Sequence, residues 1–229
     1  MNRKWLVAAI ILSGLGYLFA LGFDQLLFRW ILKPLTMLFI IWFAAKVGSG
    51  SDSPKYKRLI IIGLICSIVG DIMLLSKGNQ PFIVGLFSFL MAHVVYFFAF
   101  MTQWKFKPAQ LFVLIPIVIY AVFFLNELHT SMFADNGKAY DKLWIPVVLY
   151  VVVISSMIFS SVISRNKLAI AGAVLFFISD SLLAWNMFVT PMPWLGGYGV
   201  MITYYTAQFL IANSITVRER TSSSKLYKL

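Results

Sequence analysis

The sequence is poor in the residues from which disulfides, histidine-rich metal centres and soluble surfaces are built. Its 229 residues include one cysteine and two histidines, and charged residues make up only 12% of the chain. A lone cysteine excludes an intramolecular disulfide, and zinc hydrolase sites usually require several histidines. Soluble domains typically have about a quarter of their residues charged. The composition therefore argues against a soluble domain and against a disulfide framework.

Apolar residues predominate in the sequence. They make up 61% of the chain, and the mean hydropathy is +0.87. A helix needs roughly 20 apolar residues to cross a bilayer, and eight runs approach that length, at about residues 5–22, 31–47, 58–76, 82–102, 110–128, 143–163, 167–189 and 194–216. We predict an all-α fold, a polytopic membrane bundle of eight transmembrane helices, in a single domain over residues 1–217 with a basic cytoplasmic tail at 218–229.

Acidic residues are also scarce, with 8 Asp and Glu against 19 Lys and Arg and a net charge of +11. Eight spans put both termini and alternate loops on one side of the membrane. Five of the basic residues fall on the opposite side, and all the others fall on the side of the termini. The five are Arg29, Lys33, Lys77, Lys138 and Lys142. This asymmetry follows the positive-inside rule. We predict cytoplasmic termini and basic loops that contact anionic lipid, with no nucleic-acid partner.

Ionisable residues inside the spans are the most informative, because a mid-membrane carboxylate costs about 2.5–3.5 kcal/mol to insert. The spans contain two aspartates, Asp71 and Asp180, and one histidine, His93. These and a tyrosine pair lie 12–14 residues from a basic residue at the cytoplasmic end of their helix: Asp71 from Arg58, Asp180 from Lys167, His93 from Lys105, and Tyr204 and Tyr205 from Arg218. At 1.5 Å per residue, all of them share a layer roughly 18–21 Å from that boundary.

Helical spacing gives each of these residues polar, aromatic or small neighbours on its own face. The Asp71 face carries small residues, which allow another helix to approach closely. Companions on the other faces become candidates for orienting a substrate: Tyr96 beside His93, Asn186 beside Asp180, and Gln208 beside Tyr204 and Tyr205. We expect these faces to point into the bundle. His93 is equally open to a structural role, and hydrogen bonds from both aspartates could simply hold helices together.

Lys33, before Pro34 in span two, is expected to snorkel to the interface or to meet a phosphate headgroup. Lys77 and Trp194 lie at the same membrane face and are further candidates for the headgroup mouth.

These motifs stand in a recognisable order. Lys33-Pro34-Leu35, Gly70-Asp71, His93 to Tyr96, Ser179-Asp180 and Tyr204 to Gln208 follow one another along the chain. The pattern resembles the YhhN-type lysoplasmalogenase family of eight-span membrane proteins, over about Lys33 to Ser214. The resemblance implies hydrolysis of the vinyl ether bond of lysoplasmalogens, giving a fatty aldehyde and a glycerophospho-alcohol. It also implies that Asp71 and Asp180 are catalytic, and it favours a bacterial cytoplasmic membrane.

The residues suit that chemistry. A vinyl ether is cleaved when an acid protonates its β-carbon and water captures the resulting oxocarbenium ion. One protonated carboxyl can act as the acid while an ionised carboxylate stabilises the cation and deprotonates water. Aromatic neighbours favour Asp180 as the acid. We predict no metal and no cofactor, with His93, Tyr96, Asn186, Tyr204, Tyr205, Gln208 and Lys33 binding the lysophospholipid substrate.

Three other classes stay open at this point. A metal-dependent membrane lipid hydrolase would have to use His93, because His129 falls in a predicted loop. A proton-coupled carrier of lipids or small molecules could use the two aspartates as a relay. A scaffold protein would use them only for stability.

Overall fold

Helices make up nearly all the regular structure. The computed structural model describes residues 2–47, 53–76, 78–134 and 141–226, with side chains given for all of these except residues 141 and 217–226. Across those ranges there are eight long helices and no strand: α1 Arg3–Gly22, α2 Leu26–Lys46, α3 Pro54–Leu75, α4 Asn79–Met101, α5 Leu114–Phe133, α6 Trp144–Ser164, α7 Lys167–Phe188 and α8 Val200–Leu226. The predicted all-α class is confirmed.

Seven helices of the described chain, α1 to α7, are long and apolar enough to cross a membrane. The chain is therefore a polytopic integral membrane protein. The eighth helix is also long, but its sequence is less apolar, with Tyr204, Tyr205 and Gln208 on its inward face and a polar, charged stretch from Arg218 at its C-terminal end. The eighth span and the cytoplasmic location of both termini stay predictions.

Local sequence accounts for how the helices begin and turn. Pro54 occupies the first position of α3, where its missing N–H leaves no hydrogen bond unmade. The Asn166 side chain caps α7 by accepting hydrogen bonds from the backbone N–H groups of Leu168 and Ala169. Arg165 adopts a left-handed conformation with φ of 57°, which allows the tight reversal between α6 and α7. A π-helical turn at Leu195–Gly199 leads into α8.

The helices that carry the aspartates pack closely against their neighbours. α3 lies against α2 and α4, and α7 lies against α6 and α8. A Cβ atom at Gly70 would sit 2.7 Å from the Phe89 ring of α4, and one at Gly172 would sit 2.7 Å from Ile211 of α8. The small residues therefore permit close helix contact, as their spacing predicts. Among the described helices, α5 is peripheral, and it packs mainly on α6, α7 and the turn before it.

Two helices, α5 and α8, continue beyond their predicted ends. His129 does not lie in a loop: α5 continues to Phe133, and the His129 ring stacks on Phe133 and meets Trp144 edge-on. The apolar side chains of α5 sustain the helix beyond its predicted end at about 128. Lys77 and Lys138 lie outside the described residues. The α8 backbone extends into the predicted tail at 218–229, which stays a prediction.

Candidate active site

Asp71 lies on α3 with both carboxylate oxygens engaged. Its side chain is 1% exposed, and Oδ1 lies 3.2 Å from the Nζ atom of Lys33 on α2. Tyr204, on α8, donates its hydroxyl hydrogen to Oδ2 over 2.7 Å. An ammonium group and a hydroxyl donor are the partners expected of a buried carboxylate anion. Three helices thus converge on one acid, and its negative charge has a cation beside it.

Lys33 corrects one expectation from the sequence. Its side chain is only 9% exposed and turns into the bundle to meet Asp71, so it does not snorkel to the interface. The physical reason is that an acidic partner lies within reach inside the protein. A charge buried at this depth is stable only when it is paired.

Asp180 lies on α7 and has a different set of partners. Its Oδ2 atom accepts a 2.6 Å hydrogen bond from the hydroxyl of Tyr150 on α6. The same oxygen lies 2.8 Å from Nε2 of His93 on α4. His93 is fully buried, and its Nδ1 atom lies 3.4 Å from the sulfur of Met157. The Asp180 side chain remains 14% exposed.

Aromatic rings pack against the hydrogen-bond partners of both acids. The Phe176 ring lies 4.5 Å from the His93 ring and 5.4 Å from the Tyr204 ring, measured between centroids. Phe89 packs edge-on against both Phe176 and Tyr204. Each acid therefore sits in its own hydrogen-bonded cluster, and Phe176 packs against a member of each cluster.

Two cavities meet at Asp180. A cavity of about 210 Å³ is lined by polar groups of Tyr17, Lys33, Asp71, Ser179, Asp180 and Tyr204, together with apolar residues and Gly196 and Gly197. It is large enough for several water molecules or a small polar headgroup. A second cavity of about 60 Å³ lies between α4, α5, α6 and α7, and its lining is apolar except for Tyr150, Asp180 and Ser181. Asp180 therefore faces a polar space and an apolar space at once.

The predicted site residues divide into two groups. Lys33, Asp71 and Tyr204 form one cluster and Asp180 with His93 forms the other, all in one layer of the bundle. Five of the predicted residues lie outside the linings of both cavities: His93, Tyr96, Asn186, Tyr205 and Gln208. Tyr96 donates a 2.8 Å hydrogen bond to Oε1 of Gln208, and Oδ1 of Asn186 accepts one from the backbone N–H of Met192.

Sequence reasoning missed two tyrosines of the site, Tyr150 and Tyr17. The depth rule of 12–14 residues that selected the aspartates would have found Tyr17, and Tyr150 falls one residue outside it. Tyr17 lies 13 residues after Lys4, and Tyr150 lies 15 residues before Arg165. Both fall in the polar layer, but tyrosine is common in membrane helices and attracts little notice alone. Among the residues with described positions, no three His, Cys, Asp or Glu side chains come together as metal ligands.

Comparisons with known proteins agree on one group. The sequence model described as the YhhN family matches residues 28–215. The chain is 29% identical over 215 residues to Lysoplasmalogenase TMEM86B of Homo sapiens, covering 92% of this chain and 86% of that protein. It is 30% identical over 263 residues to Lysoplasmalogenase homolog of Dictyostelium discoideum, covering 93% and 86%. No solved structure matches the chain.

Proposed function

This chain belongs to the YhhN family, and we propose that it is a membrane-embedded hydrolase that cleaves the vinyl ether bond of lysoplasmalogen-type lysophospholipids. The products are a fatty aldehyde and a glycerophospho-alcohol. Similar proteins named lysoplasmalogenase support the reaction class. The charge asymmetry of the loops supports cytoplasmic termini, and a bacterial cytoplasmic membrane stays a prediction.

One observation carries the proposal: Asp180 stands at the junction of an apolar and a polar cavity. A lysoplasmalogen has the same division, because its vinyl ether joins a hydrocarbon chain to a polar glycerophosphate. With the first carbons of the chain in the apolar cavity and the glycerol in the polar one, the reacting bond lies at Asp180, and the rest of the chain extends toward the bilayer. The peripheral packing of α5 gives the chain a lateral route to the bilayer.

The two acids then have separate roles. Asp180 donates its proton to the β-carbon of the double bond, and the ether oxygen becomes part of an oxocarbenium ion. Water adds to the adjacent carbon and gives a proton to the Asp71 carboxylate, which also stabilises the cation. The hemiacetal collapses as its hydroxyl proton passes to the leaving glycerol oxygen. Water in the polar cavity returns the proton from Asp71 to Asp180, so each turnover consumes one water molecule.

Lys33 and Tyr204 serve the polar end of the substrate. Lys33 holds Asp71 and is the cation in the polar lining available to a phosphate group. Tyr204 orients Asp71 through its 2.7 Å hydrogen bond. His93 acts on Asp180 rather than on the substrate. Tyr96, Asn186, Tyr205 and Gln208 lie behind the linings and support the site from there.

The test is an assay of the purified full chain in vesicles containing lysoplasmalogen, acyl lysophospholipid or alkyl lysophospholipid. We expect aldehyde from the alkenyl lipid only, and activity that survives exhaustive chelation. In D₂O the aldehyde should carry one deuterium on the carbon next to its carbonyl. Release of fatty acid would indicate an esterase instead. Uptake driven by a pH gradient, without lipid turnover, would indicate a carrier.

A further inference from the structure

Tyr150 is a residue of the Asp180 cluster to which the mechanism above assigns no role. It lies on α6, and its ring meets the His93 ring edge-on at 5.2 Å. Its hydroxyl lies 2.6 Å from Oδ2 of Asp180 and 2.9 Å from Nε2 of His93. It also lines the apolar cavity beside Asp180. The three side chains therefore form one closed triangle of hydrogen-bonding atoms from three helices.

Both contacts to Asp180 fall on the same carboxyl oxygen. Tyr150 donates to Oδ2, and His93 Nε2 lies 2.8 Å from that oxygen. Within the described part of the chain, Oδ1 has no hydrogen-bond partner. With His93 in the tautomer that carries its hydrogen on Nε2, Oδ2 accepts two hydrogen bonds. It is then poorly suited to carry the acid proton as well, because that proton would point at two donors. The proton of the neutral carboxyl group thus belongs on Oδ1.

We infer that Tyr150 is a positioning residue, which together with His93 fixes the Asp180 carboxyl so that Oδ1 delivers its proton to one face of the substrate double bond. This inference rests on the proposed vinyl ether hydrolysis. The terminal torsion of an aspartate is broad and roughly two-fold, so an unrestrained carboxyl group exchanges its two oxygens readily. Two donors on different helices remove that freedom.

The inference has a stereochemical consequence. Protonation of the double bond creates a CH₂ group, and in D₂O that carbon receives one deuterium beside one hydrogen. Delivery from one fixed oxygen to one face gives a single configuration at that carbon. Either oxygen of Asp180 reaches the same face of the bound double bond, so a mixture arises when a misplaced carboxyl group protonates too slowly and water protonates the other face. The label therefore reports the orientation of Asp180 and does not depend on the amount of folded enzyme.

The experiment compares wild type with Tyr150→Phe, which removes one oxygen and keeps the ring. Turnover of an alkenyl lysophospholipid is run in D₂O, and the aldehyde is reduced as it forms to prevent exchange. We expect kcat to fall about 10- to 100-fold, the scale of a small misplacement of a catalytic group, with KM within about twofold of wild type. The single configuration of the label should become a mixture.

Tyr120→Phe is the matched control, since Tyr120 lies on α5 and packs its ring on Phe124 and Phe177. It should keep the rate and the single configuration. His93→Gln, measured in the same way, gives a second reading if Tyr150→Phe does not fold, and it should also mix the label. Wild-type rate and a single configuration in the folded variant would overturn the inference, and so would a mixed label in wild type. Absence of aldehyde from wild type would instead overturn the proposed function itself.

Discussion

The two aspartates occupy matched positions in sequence but very different surroundings. Each lies 13 residues from a basic helix start and directly follows a small residue, Gly70 or Ser179. Asp71 is buried, with the Lys33 ammonium group at one carboxylate oxygen and the Tyr204 hydroxyl at the other. Asp180 has two partners on one oxygen and faces two cavities. Equal depth therefore does not mean equal role: a cation beside the carboxylate suits the anion that accepts a proton, and an oxygen without a partner suits a proton donor.

The strongest test of this contrast is Asp180→Asn. An amide of the same shape fits the site but cannot protonate carbon, so we expect aldehyde release to fall by about 10³-fold or more, within the range for a general acid. Aldehyde release from the purified variant, at saturating alkenyl lysophospholipid, measures the loss. Thermal unfolding in the same detergent should change little, because Tyr150 can still donate to the amide oxygen. Retention of more than a tenth of the activity would contradict the assignment of Asp180 as the acid.

Breaking the ion pair should mainly affect stability. Lys33→Met leaves Asp71 buried without its cation, and loss of one partner of a buried pair costs about 3–5 kcal/mol. The double variant Lys33→Met, Asp71→Asn removes both charges and should recover most of that loss. Denaturant unfolding in detergent measures both variants.

Activity measurements distinguish a catalytic role of Asp71 and Lys33 from a purely structural one. The double variant should be stable yet nearly inactive, because Asp71 would no longer accept a proton from water. Activity close to wild type in the double variant would mean that Asp71 and Lys33 only hold helices together, as a scaffold role requires.

The smallest effect is expected away from both acids, at Tyr96→Phe. This change removes the hydrogen bond to Gln208, which joins α4 to α8 outside both cavity linings. Hydrogen bonds between membrane helices contribute about 0.6–1.7 kcal/mol, so a loss of that size in unfolding free energy is expected. Aldehyde release should stay within about twofold of wild type. A larger loss of activity would return Tyr96 to the substrate-binding group.

Much of the fold could be predicted from the sequence because lipid imposes simple rules. Apolar runs of bilayer length must form helices, since backbone groups in hydrocarbon have no water to bond. Inward faces were also predictable: Gly63, Ser67, Gly70 and Asp71 are all buried, as their spacing indicates. The end of α5 differs from the expectation, because polar residues such as His129 indicate a loop but continue the helix to Phe133.

The sequence predicts which residues form the candidate site better than it predicts which of them contact one another. Asp71, Asp180, His93 and Tyr204 were identified because ionisable or paired polar residues at one depth are uncommon in spans. Tyr150 was missed, since one tyrosine in an apolar helix carries no charge to mark it. Lys33 was found but was expected at the interface. Its distance to Asp71 depends on how α2 packs against α3, and no spacing along the chain encodes that.

The amino-acid sequence alone indicates the class of protein, the layer in which its polar residues lie and the two aspartates of the spans. These follow from one-dimensional regularities: hydropathy, helical rise and the cost of burying charge. The partners of each aspartate, and the opening of Asp180 to both cavities, depend on tertiary packing. Those features arise where α2, α3, α4, α6, α7 and α8 meet, and contacts between distant segments depend on how whole helices pack.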